Sequence, residues 1–167
     1  MLNAILLAVL MVTVLSIGSI RNAPAISLDL AQFQWKNRLL FLFAPDRNHP
    51  FFGSLHRALV AQQAEVVDRD LVIFEILESG PSTMSTTHLD PQTAQSLREK
   101  FEVRQGEFTV ILIGKDGGIK LNRQNQTRLE DIFGLIDTMP MRREEMRQKS
   151  RTKESVADEP NKSGGNQ

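Results

Sequence analysis

The chain has no cysteine. That excludes a disulfide framework, a thiol nucleophile, dithiol redox chemistry and any zinc site built on cysteine. Also missing are Gly-x-Ser-x-Gly, Gly-x-Gly-x-x-Gly and the phosphate-cradling P-loop pattern, so serine-nucleophile chemistry and nucleotide binding have no support. Net charge is absent too: 20 Lys and Arg balance 20 Asp and Glu, and the reading predicts no nucleic-acid partner. Histidine is scarce, with His49, His56 and His88 only. His49 and His56, two helical turns apart, would stand roughly 10 Å apart along the axis, too far to share one ion. The sequence predicts no metal and no cofactor.

Long apolar character is confined to one place. Met1 to Ile20 carries no charged side chain, and Ala4 to Leu15 has the length of a signal-peptide apolar core. Ser16-Ile17-Gly18 and Ala23-Pro24-Ala25 both fit small-x-small cleavage sites. The n-region has no Lys or Arg, and with Ser16 to Ile20 the run approaches the roughly 20 residues that span a bilayer. Residues 1–25 are therefore expected to be a signal peptide, with an uncleaved N-terminal anchor (residues 2–20) as the alternative. Either way the folded part is exported, to a periplasmic or extracellular location, and meets a membrane only if the segment stays uncleaved.

The rest of the chain reads as one folded domain, 26–146, and a polar tail, 147–167, expected to be disordered. Charge differs slightly between them: Ile26 to Pro140 holds 12 basic and 15 acidic residues, and Met141 to Gln167 holds 7 and 5. The apolar run Leu39 to Ala44, closed by Pro45, suits a strand buried on both faces. Pro50 fits a helix first turn, and Leu55, Ala58, Leu59, Gln62 and Val66 continue a stripe through a helix from Phe51 to Val67. Leu71 to Leu77 is a second apolar strand, interrupted by Glu75. Ser79 to His88 has the composition of a loop. Asp90-Pro91 caps a helix with Ala94, Leu97 and Phe101 on one face. Phe108 to Ile113 is a third strand, Lys115-Asp116-Gly117-Gly118 a tight hairpin, and Ile119 to Leu121 a fourth strand. A last helix over Thr127 to Thr138 presents Leu129, Ile132, Phe133 and Ile136.

A strand–helix–strand start implies a right-handed parallel crossover, and the hairpin forces an antiparallel pair. The expected class is α/β, a mixed four-stranded sheet with helices on both faces, which resembles thioredoxin. Phe43-Ala44-Pro45 is similar to the thioredoxin lead into the redox turn, and in that alignment Arg47 and Pro50 stand on the cysteine positions. Near Glu107-Phe108-Thr109, where thioredoxins place a cis-proline, there is no proline. Thiol–disulfide activity does not carry over.

Five segments point further: Leu40 to Pro45, Asp68-Arg69-Asp70-Leu71, Gly106 to Val110, Gly114-Lys115-Asp116-Gly117-Gly118-x-Lys120, and Ile136-Asp137-x-Met139-Pro140-Met141-Arg142. Over about Trp35 to Arg147 they resemble an exported bacterial family, domain of unknown function 4174. That family is itself similar to thioredoxin- and peroxiredoxin-like domains of animal sushi-repeat and coiled-coil-domain-containing matrix proteins. The resemblance implies a fold and an exported location, and no established reaction.

Candidate site residues fall in two groups. Asp46, Arg47 and His49 occupy the strand-to-helix turn, where free backbone N–H groups and an Arg fork suit an anion or carboxylate, or else form a solvated turn in a decayed redox site. Arg69, Lys115, Asp116 and Lys120 stand at strand ends, either converging as a polar patch or serving structure. In the structural version an Arg69–carboxylate bridge ties the helix-to-strand turn to the hairpin, and Lys115 and Lys120 protect the sheet edge. Met139 to Arg147 reads as a partner-binding extension or as a last helical turn packed on the sheet. The expected function is a non-catalytic binding or interaction module for an exported protein or a small anionic ligand. The alternative is a cysteine-free, peroxiredoxin-like or other enzyme using Arg47 and His49. A purely structural role in the envelope is the third expectation.

Overall fold

A computed structural model describes residues 28–157. The expected signal peptide or anchor lies outside the described residues. The chain enters through a 3-10 turn, Leu30–Phe33, capped by the Asp29 carboxylate, which accepts from the Ala31 N–H at 2.9 Å. Next come β1 (Arg38–Ala44), α1 (Pro50–Ala61), α2 (Gln63–Asp68) and β2 (Leu71–Leu77). Two short strands, β3 (Thr83–Met84) and β4 (Thr87–His88), precede α3 (Pro91–Lys100). β5 (Thr109–Ile113), β6 (Ile119–Arg123), α4 (Leu129–Thr138) and α5 (Pro140–Ala157) complete the fold.

β1 lies at the centre because every one of its residues is buried. Side chains alternate across a strand, so its apolar run feeds two cores at once. Leu40, Leu42 and Ala44 pack with Phe52, Leu55, Leu59 and Val66 from α1 and α2, and with Ile132, Phe133 and Ile136 from α4. Leu39, Phe41 and Phe43 pack on the other face with Ala94 and Leu97 of α3, and with Leu30 and Phe33 of the lead-in. Phe41 stacks on Phe74 of β2 with ring centroids 4.4 Å apart. Each such side chain withdrawn from water stabilises the fold by about 1.5–3 kcal/mol, which makes β1 the hardest element to alter.

The sheet has six strands in the order β4-β3-β2-β1-β5-β6, not the four expected. β1 and β2 are parallel, and all other neighbours are antiparallel. The extra pair arises from the Ser- and Thr-rich stretch read as a loop. There Thr83 and Met84 pair with Glu75 and Phe74 on the free edge of β2. Two residues are too few to show the period-2 signal of a strand.

Two helix boundaries also differ. The helix expected over Phe51 to Val67 breaks at Gln62, although Leu59 and Val66, on either side of the break, are both buried. The stretch from Arg147, expected to be disordered, continues α5 as far as Ala157. α5 shows no apolar stripe because the residues that hold it, Arg142, Glu145 and Lys149, are charged and share one face at i, i+3 and i+7.

Candidate functional site

The seven sequence-predicted site residues separate to opposite ends of the sheet. β1 has seven residues, so its ends are about 20 Å apart.

At the carboxyl end of β1 the chain turns through Asp46 to His49 into α1, with Pro50 in the first helical turn. Asp46 accepts the Asn48 N–H at 2.6 Å, which spends one of its oxygens on the turn. Arg47 extends across to β2, where its Nη2 lies 3.6 Å from Glu75 Oε2, and its side chain is 45% exposed. His49 stacks on Phe108, with ring centroids 5.2 Å apart and planes 9° from parallel. Its Nδ1 is buried and has no partner among the described residues.

Glu75 organises this end and was read from the sequence only as an interruption of an apolar strand. It is 7% exposed, and its Oε1 pairs with His56 Nδ1 of α1 while Thr83 Oγ1 donates to Oε2 at 3.5 Å. A carboxylate inside a sheet requires such partners, because burying it alone costs several kcal/mol. A charge in an otherwise apolar strand was the available signal. A carboxylate on one ring nitrogen fixes an imidazole's orientation and tautomer, so His56 is held with its other nitrogen directed away from Glu75.

At the amino end of β1 the structure gathers Arg69, Lys115, Asp116 and Lys120 with residues the sequence did not single out. Arg38 opens β1, 1% exposed, and donates from both Nη atoms to Glu145 of α5 at 3.1 Å and from Nη1 to the Arg69 carbonyl at 2.9 Å. Lys115 on the β5–β6 hairpin reaches Asp70 and Glu145, each at 2.8 Å. Arg69 does not bridge to the hairpin as expected. It pairs with Glu65 at 2.6 Å and Asp137 at 2.7 Å, and its guanidinium lies 4.3 Å over the Phe133 ring. Asp70 and Lys115 make the tie to the hairpin instead, because Asp70 (φ +48) turns its backbone where the chain enters β2.

Arg142, 4% exposed, donates to the Asp68 carbonyl at 2.6 Å, to the Asp68 carboxylate, and from Nε to Asp137 at 3.2 Å. Lys149 adds a second cation to Asp68. Lys149 and then Arg142 lower the Asp68 pKa from 3.8 to about 2. Burial opposes the charge on Glu145, but hydrogen bonds from Arg38 and Lys115 outweigh it and its pKa falls. Lys120 closes on Asp116 at 2.6 Å, and Asp116 also accepts the Gly118 N–H, so its pKa is lowered as well.

Three of the five segments that mark the family resemblance meet here. Asp68-Arg69-Asp70, the Gly114 to Lys120 hairpin and Asp137 to Arg142 all supply this ionic network. Comparison with known proteins agrees: the family described as Domain of unknown function (DUF4174) matches residues 29–145. The chain belongs to the DUF4174 family. This DUF4174 domain is 27% identical over 137 residues to Sushi repeat-containing protein SRPX2 of Xenopus laevis, covering 80% of this chain and 30% of that protein. It is 23% identical over 133 residues to Coiled-coil domain-containing protein 80 of Danio rerio, covering 70% of this chain and 15% of that one. The chain thus spans less than a third of the length of either relative.

Among solved structures the domain is similar to the reduced 2-Cys peroxiredoxin of Plasmodium vivax, with TM-score 0.50, 18% identity, 65% of this chain and 80% of that chain covered. It is also similar to thioredoxin peroxidase I of Plasmodium yoelii, with TM-score 0.50, 17% identity, 83% of this chain and 86% of that chain covered. These likenesses establish the thioredoxin- and peroxiredoxin-like fold of the DUF4174 domain. Among the described residues, no helix is long and apolar enough to cross a membrane, and no three His, Asp or Glu side chains are grouped to hold a metal ion.

Proposed function

We propose that the protein is an exported, non-catalytic interaction module that meets its partner through the β1–α1 turn. One observation carries the reading: Glu75 is held by His56, Arg47 and Thr83 while the Arg47 side chain stays 45% exposed, in a chain without a thiol. A binding turn needs only rigid, exposed polar groups, and Arg47 and Asn48 are such groups beside a helix N-terminus. The small share of its relatives that the chain matches supports a modular role. The apolar, uncharged Met1 to Ile20 supports export. The partner is an exported protein or a small anionic ligand, met by the Arg47 fork.

The test is a pull-down from the exported fraction with the full chain and its Arg47→Ala variant. A partner kept by the first and lost by the second supports the module. Equal capture by both refutes the turn as its site.

A second reading rests on the His56–Glu75 pair. A buried carboxylate orienting a half-exposed imidazole, with a guanidinium alongside, is the arrangement of a general base. It moves the histidine of a cysteine-free, peroxide-handling enzyme from His49 to His56. Peroxide turnover above the free-solution rate, lost in both His56→Ala and Arg47→Ala, would favour it over the module.

A further inference from the structure

We propose that the amino end of the sheet holds a binding site for a small carboxylate with a short apolar tail. It stands at the opposite end of β1 from the turn and does not depend on how that turn functions.

A cavity of about 260 Å³ opens between the β5–β6 hairpin and the elbow joining α4 to α5. One wall is cationic, formed by Arg38, Lys115 and Lys120, with Asp116 beside them. The opposite wall is apolar: Met139, Pro140 and Met141 at the elbow. The two walls ask for a guest with an anionic head and an apolar body. Met side chains adapt to such a body because they are unbranched and polarisable.

The cationic wall is built into the fold rather than borrowed from the surface. Arg38 is 1% exposed and the Lys115 side chain 9% exposed. Both are fixed by Glu145, so neither loses much side-chain freedom when a guest arrives. Lys115 also retains donor capacity. A lysine ammonium has three N–H donors, and Lys115 has two acceptors among the described residues, Asp70 and Glu145. Among the described residues Lys120 is paired with Asp116 alone, which is 45% exposed, so its ammonium can swing from that carboxylate to a guest.

The volume limits the guest. At about 30 Å³ for each water-sized group, the cavity takes a body of about eight or nine non-hydrogen atoms. That is the size of a short-chain monocarboxylate. Asp70, Asp116 and Glu145 balance much of the charge of the lining cations, so the head group is selected by the ammonium N–H donors of Lys115 and Lys120, which favour a carboxylate over an amine or an alcohol of the same length.

The experiment titrates the full chain, carrying methyl-labelled methionine, with sodium hexanoate, 1-hexanol and hexylamine. Hexanoate is expected to give saturable shifts at Met139 and Met141 and none at Met84 on β3, with neither of the other probes doing so. Lys115→Met and Lys120→Met should each weaken hexanoate about tenfold, the scale of one charge-assisted hydrogen bond. Lys115→Met also strips a partner from Asp70 and Glu145, so Lys120→Met decides the matter if the first variant does not fold. Absence of saturable shifts with hexanoate overturns the site. Equal shifts with 1-hexanol, or undiminished binding by Lys120→Met, overturn its anionic selectivity.

Discussion

Arg38, the first residue of β1, and Glu145, on α5, form a two-pronged ion pair across 107 positions of sequence. Both contacts are 3.1 Å, and the guanidinium is withdrawn from water. This pair joins the central strand to the last helix, and Lys115 joins the hairpin to the same carboxylate.

Breaking such a pair from one side leaves the other charge buried without its partner. Glu145→Gln is expected to lower unfolding free energy by about 3 kcal/mol, read from urea or guanidinium midpoints. Arg38→Met combined with Glu145→Gln should cost less than the sum of the two single changes, because the residues are in contact. Strict additivity would mean that the pair is not energetically coupled.

Arg142 and Lys149 both reach Asp68, yet their substitutions should separate widely. Arg142 is 4% exposed and also serves Asp137, so Arg142→Ala takes one partner from each of two carboxylates, which keep Lys149 and Arg69; the expected loss is about 2 kcal/mol. Lys149 is 58% exposed, and Lys149→Ala should cost less than about 1 kcal/mol, with that difference fading in high salt. Thermal melts of the two variants compare them directly.

The lowered pKa of Asp68 makes the amino-end network acid-sensitive. A carboxyl at about 2 in the folded state and near 3.8 when unfolded binds its proton more tightly in the unfolded chain. The resulting stability is fully present above about pH 4 and is lost as pH falls toward 2. Asp116 and Glu145, whose pKa values are also lowered, add in the same direction. Asp68→Asn should therefore flatten the stability profile between about pH 4 and pH 2. A variant profile parallel to that of the parent would place the acid response elsewhere.

The hairpin depends on glycine at one backbone position. Gly117 has φ +81, so Gly117→Ala should cost about 1–2 kcal/mol through left-handed strain. The added methyl would stand 3.5 Å from Gln34 Nε2, an ordinary contact, so strain rather than a clash sets the effect. Gly106→Ala is a like-for-like control, also at positive φ (+80) with open space around it. A Gly117→Ala cost far above that of the control would show that the Gln34 contact is tighter than this geometry.

Local pattern was enough for most of the fold. An apolar run such as Leu39 to Ala44, or the spacing of Leu129, Ile132, Phe133 and Ile136, states within a few residues which face must leave water. The parallel crossover and the Lys115 to Gly118 hairpin then left little freedom in the arrangement of the central strands, and the absence of cysteine alone excluded thiol chemistry. Partner choice was not local. Nothing in the spacing of Glu75 and His56, or of Arg38 and Glu145, says that they touch, because a charge is written identically whether it ends in solvent or in an ion pair. For the same reason the stretch after Met146 looked like a disordered tail, while its charged face continues a helix docked on Asp68. Only the tertiary structure placed Arg47 and Lys115 at opposite ends of β1, since proximity across a sheet is decided by register and packing. The chain's own text determined the layers; packing decided which charges face one another across them.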